Sequence, residues 1–146
     1  MKRTLCVFNR NRESFLGLRV APAHTMTARL KGLLGKIRLK QGDGVWLVPS
    51  RGIHTIGMLF AIDVIYLDAA NRVIHLVENL RPFRVSPIRI RCASVLELKL
   101  KSICSSNTEV GDELLICTPE EIKSILQVEP KISALMHGRK PDARVE

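Results

Sequence analysis

Three polar residues interrupt the most apolar stretch of the chain, and their types are the ones that do chemistry. His54, Thr55 and Asp63 fall within Ile53–Asp68, among Ile56, Leu59, Phe60, Ile62, Val64, Ile65 and Leu67. An imidazole beside a carboxylate is the raw material of an acid–base site. Met58 adds a soft thioether, and Glu97 a second carboxylate. If Asp63 and Glu97 lined one cleft they would form an acid–base pair. His54 with His75, Asp63, Met58 and Cys92 would be the ligands of a metal. Residues i and i+4 of a strand lie about 13 Å apart. His54 and Met58 would therefore converge only across a turn at Gly57, and no close histidine pair exists, so neither metal nor cofactor is expected. No Gly-x-Ser-x-Gly elbow and no glycine-rich phosphate loop occurs.

These side chains must be held by strands. Val45–Val48, Ile53–Asp68 and Val73–Val77 are apolar, rich in β-branched residues and bounded by turn residues. Within an extended run, Asp63 shares a face with Ala61, Ile65 and Leu67. A carboxylate on a core face needs a partner, and Arg29, His54 and Thr55 are the candidates, Arg29 first for its forked donor. Further strands are expected over Thr4–Asn9, Phe15–Ala21, Ser94–Leu100 and Leu114–Cys117. In the sixth of these runs Val95, Glu97 and Lys99 oppose Leu96, Leu98 and Leu100, which places Glu97 at the surface or a barrel rim.

Two segments change period. Met26, Leu30, Leu33 and Leu34 fit one face of a short helix near 25–35, capped by Thr25 or Thr27 and stopped by Gly35. Thr118-Pro119-Glu120-Glu121 opens a C-terminal helix near 119–128 with a capping box, and Pro130 is expected to end it. The fold class is therefore mostly β (α+β), a barrel-like antiparallel sheet with two helices. Residues 1–129 form one domain and 130–146 a flexible tail.

The net charge is +9, and residues 1–51 carry all of it, with eleven Lys/Arg against Glu13 and Asp43. Such asymmetry permits weak polyanion or nucleic-acid binding. No stacking aromatics interleave the basic residues. Arg81, Arg84, Arg89 and Arg91 form a second basic patch that suits an anion. No apolar run approaches the roughly 20 residues of a membrane span. The apolar run at Leu5–Phe8 is too short for a signal-peptide core, so the expected location is cytoplasmic. Cys6, Cys92, Cys104 and Cys117 form no C-x-x-C pair and are read as reduced structural thiols.

Arg29–Gly35, His54–Asp68, Arg81-Pro82, Val95–Leu98 and Val110–Leu114, in that order and spacing, resemble domain-of-unknown-function family 192 over roughly residues 15–117. The resemblance implies a compact, barrel-like β domain with a short helix. It implies no reaction. Many members look exported, and this N-terminus departs from them. By motif match it marks Arg29, His54, Thr55, Met58, Asp63 and Glu97 as the positions of a site. The favoured function is a non-enzymatic domain that binds a small ligand or a protein partner through this polar cluster. The alternatives are an Asp/His or Asp/Glu acid–base enzyme and a weak polyanion binder.

Overall fold

The computed structural model describes residues 3–25, 28 and 33–136. Its strands are β1 (Leu5–Asn9), β2 (Ser14–Ala23), β3 (Asp43–Leu47), β4 (Ile62–Leu67), β5 (Val73–Leu80), β6 (Ser94–Lys99) and β7 (Leu114–Cys117). They make one curled sheet in the order β5-β4-β6-β3-β2-β1-β7. The pairs are antiparallel except β2 with β3, which run parallel from Arg19↔Asp43 to Ala23↔Leu47. This pair departs from the wholly antiparallel expectation. Parallel neighbours need a crossover of a dozen or more residues, and residues 24–42 supply it.

The sheet is buried on both sides at its centre. Ile62, Val64 and Tyr66 of β4 pack with Val45, Leu47, Val95, Leu33, Leu39 and Met58. Ile65 and Leu67 pack on the opposite face with Val20, Leu96, Leu98 and Ile103. Every β4 residue is buried as a result. A third cluster joins Phe8, Cys6 and Cys117 to Ile122 of the last helix. The two edge strands approach at one corner, where Arg72 bridges Glu113. There the Val73 amide donates to Asp112 O at 2.8 Å and the Leu114 amide to Asn71 O at 2.9 Å. The sheet is thus a half-barrel, laced among the described residues at one corner only.

Ile53–Ala61 is loop, although its composition suggests strand. Thr55 to Met58 is a tight turn, with the Met58 amide on Thr55 O at 3.1 Å and Gly57 at φ +85°. A side chain at that φ would be strained, so glycine sits there.

Helix α1 (Ser102–Ser106) overlaps no element expected from the sequence, and α2 spans Pro119–Met136. The capping box at the start of α2 is present: the Thr118 amide donates to Glu121 Oε2 at 3.0 Å and the Glu121 amide to Thr118 Oγ1 at 3.3 Å. The expected stop at Pro130 is corrected, since α2 continues six residues beyond it. One proline deletes one ladder bond, and the good helix formers Lys131, Ala134, Leu135 and Met136 carry the helix on. Most of the helix expected near 25–35 lies outside the described residues, among them Arg29. At its start the Ala28 amide does donate to Thr25 Oγ1 at 3.0 Å.

Candidate functional site

Glu97 sits in the middle of β6, between Val45 of β3 and Val64 of β4. Period two places it on the face of Val45, Val64 and Val95, the face covered by Leu33, Leu39 and Met58. It is 3% exposed. The expectation of a surface or rim position is overturned, because both faces of β6 are packed rather than one. Among the described residues its Oε2 has no hydrogen-bond partner. Burial pushes its carboxyl up to about 8, so at neutral pH it is mostly an uncharged acid with a proton to donate.

The other buried acids are compensated. Asp63 Oδ1 accepts the Asn79 amide at 3.1 Å and Oδ2 the Ile103 amide at 3.0 Å. Among the described residues its partners are backbone N–H groups, and neither His54 nor Thr55, two of the three partners foreseen, is one of them. Arg29 lies outside the described residues, His54 is exposed, and Thr55 bonds elsewhere. Two converging N–H groups satisfy a carboxylate as well as a guanidinium does, and no spacing rule in the sequence shows them. Asp112 accepts from Asn9 Nδ2 at 2.9 Å, Arg12 Nε at 3.0 Å and the Glu109 amide at 2.9 Å. Burial raises its carboxyl, but these donors outweigh burial and hold it below the usual range. Asp63 and Glu97 occupy opposite faces of the sheet, as the register Asp63↔Leu98 and Val64↔Glu97 requires. They share no cleft, so a two-carboxylate mechanism has no geometry here.

Two loops are zipped together beside this sheet. The Thr55 amide donates to Arg84 O at 2.8 Å, and the Phe83 amide to Thr55 O at 3.0 Å. Thr55 Oγ1 donates to Arg81 O and receives the Arg84 amide at 2.9 Å. Fully buried, Thr55 is the knot of the pair. His54 bridges Val85, and the Arg89 amide reaches Arg51 O at 3.0 Å. Tyr66 Oη ties the second loop to β4 through Pro87 O at 2.7 Å. Arg81, Arg84, Arg89 and Arg91 are therefore carried by one ledge, all exposed. Met58 is packed in the core beneath. Of the six cluster positions, Thr55, Met58 and Glu97 belong to this side of the sheet and Asp63 does not.

His75 stands edge-on to Tyr66 at 5.1 Å. Burial, with nearby Arg89, lowers its proton affinity. Burial pushes the Cys92 thiol up. Among the described residues no three His, Cys, Asp or Glu side chains converge as metal ligands do.

The polar network missed by sequence reading lies at the laced corner. Asn9 Nδ2 also donates to Thr108 Oγ1 at 3.0 Å, while Asn9 Oδ1 accepts the Asn11 and Arg12 amides. Its members come from sequence positions about a hundred apart, and only the paired turns bring them together. The same corner absorbs N-terminal charge. Arg12 pairs there with Glu109 at 2.7 Å and Arg10 with Glu113 at 3.8 Å, while Arg19 pairs with Asp43 at 2.6 Å away from the corner, between β2 and β3. The excess of residues 1–51 is thus partly neutralised rather than gathered into one patch.

A protein of unknown function from Novosphingobium aromaticivorans has a similar structure, with TM-score 0.67 and 19% identity over 77% of this chain and 83% of that one. A proposed transcription regulator from Sinorhizobium meliloti is similar at TM-score 0.67 and 18% identity, over 80% and 94%. At such identity the likeness is one of fold. Comparison with curated proteins returns no match. Residues 7–116 match the profile of domain-of-unknown-function family 192, described as "Uncharacterized ACR". That match spans the laced half-barrel from β1 to β7, and the chain belongs to this family.

Proposed function

We propose that this is a binding domain whose ligand is received at the loop-covered face of β3, β6 and β4, with Glu97 as its polar anchor. The observation that carries the reading is the orphaned Glu97 Oε2. A buried carboxyl without a partner costs stability. Asp63 and Asp112 offset that cost with donors, whereas Glu97 Oε2 finds none among the described residues. Groups held at such a cost concentrate at functional sites. The neutral acid offers one O–H donor and one carbonyl acceptor. The covering side chains, Leu33, Leu39 and Met58, are apolar. The matching ligand is small and partly apolar, with one hydrogen-bonding head such as an amide, hydroxyl or amine.

Fragment screening by NMR tests this reading. Hits bearing such a head are expected to shift the Glu97 carboxyl carbon and the amides of β3 and β6. Glu97→Leu, which preserves volume and removes the head, is expected to abolish those hits while the fold persists. Hits that map elsewhere, or that bind Glu97→Leu equally well, would remove the proposal.

A further inference from the structure

The paired loops combine two features that a protein surface rarely shows together. Ile56, Leu59, Phe83, Val85, Ile88 and Ile90 are all exposed, and Phe83, Ile88 and Ile90 reach 66%, 73% and 83%. Arg51, Arg81, Arg84, Arg89 and Arg91 are exposed among them. No Asp or Glu occurs between Asp43 and Asp63 or between Glu78 and Glu97. The ledge therefore carries five guanidinium charges with no acid of its own, while Arg10, Arg12 and Arg19 elsewhere are matched by carboxylates. The Ile88-Arg89-Ile90-Arg91 run alternates the two chemistries residue by residue.

Phe83 sharpens the point. It follows Pro82 at a turn with φ +59°, a conformation in which a bulky residue is an outlier and glycine is ordinary. An aromatic ring is thus held in solvent at a strained backbone position. Folding alone favours neither, and strain of this kind gathers where a loop does work.

We propose that this ledge docks the protein onto anionic phospholipid bilayers. The arginines meet the headgroup phosphates, and the apolar side chains between them enter the acyl boundary. The apolar side chains protrude, which suits a bilayer; a peptide partner needs a groove. A second copy of the chain would bring five like charges against five. This role is independent of the Glu97 site, which lies beneath the sheet's loop cover and does not contact lipid.

Flotation of the full chain with vesicles is the test. Vesicles of phosphatidylcholine with phosphatidylglycerol are expected to carry the protein, and phosphatidylcholine alone is not. Arg89→Ser with Arg91→Ser is expected to weaken partitioning about 25-fold, near fivefold per arginine. Phe83→Gly with Ile88→Ser leaves the charge intact and relieves the backbone. It is expected to weaken partitioning at least about tenfold with an unchanged or higher melting temperature. Absence of flotation, flotation with neutral vesicles alone, or an apolar variant that floats as well as the wild type would each overturn the proposal. Heparin binding that survives the apolar variant, without flotation, would assign the ledge to a polyanion instead.

Discussion

Glu97 and Asp63 show how two carboxylates on neighbouring strands acquire opposite chemistries from a single change of face. Asp63 meets two backbone amides, and Glu97 meets apolar side chains. The raised Glu97 carboxyl sets a sign for stability against pH. Its folded value, about 8, lies above the ordinary 4.5. Between these values the native state holds a proton that the unfolded chain releases, so stability falls as pH rises. The contribution is fully present below about pH 4.5 and lost by about pH 8. Glu97→Gln is therefore expected to flatten the decline of melting temperature across this window and to raise its alkaline end. Thermal melts at matched ionic strength measure it, and a wild-type profile as flat as the variant's would contradict the assignment. The position of Glu97 was legible as a residue to watch, but its burial was not. Alternation in Ser94–Leu100 predicts one wet face, and only the loops folded over that face make it dry.

At the scale of elements, local signals worked where a segment carries its own reasons. Leu114–Cys117 is a strand as its composition predicts, and the Thr118–Glu121 capping box is formed. They failed where the reason lies elsewhere in the chain. Helix α1 has no side-chain cap from its own N-cap residue, Lys101. The amide of its second residue, Ile103, is satisfied by Asp63, forty positions away. Asp63 thereby ties β4 to α1 and to the end of β5. Asp63→Ala would strand both amides in the interior and is expected to cost on the order of 2–4 kcal/mol. Asp68 accepts the Ala70 and Arg72 amides at 2.9 Å in an exposed turn. Water can replace it there, and Asp68→Ala is expected to cost under about 1 kcal/mol. Urea denaturation of the two variants gives the comparison, and equal losses would show that Asp63 does not join these elements.

For the molecule as a whole, the sequence reading reached a barrel-like, mostly β domain and could not reach its two-sidedness. The parallel β2–β3 pair, the second apolar face and the laced corner all depend on which strands become neighbours, and runs of Val, Ile and Leu look alike in either face. No described helix is long and apolar enough to cross a membrane.

The corner at Arg72–Glu113 has a kinetic consequence. The outer edges of β5 and β7 are joined there and nowhere else among the described strands. Solvent therefore has a seam by which to enter, and the amides should trade hydrogen for deuterium in a spatial order. Those of β4 and β6, covered on both faces, are expected to exchange last, at the free energy of global unfolding. Those of β7 and of the Leu80 end of β5 should exchange earlier, by local opening of the seam. Leu114→Pro, which removes the lacing amide donated to Asn71 O, should speed β7 selectively and leave β4 almost untouched. The half-barrel would then open like a book from its edge, with its spine along β4 and β6.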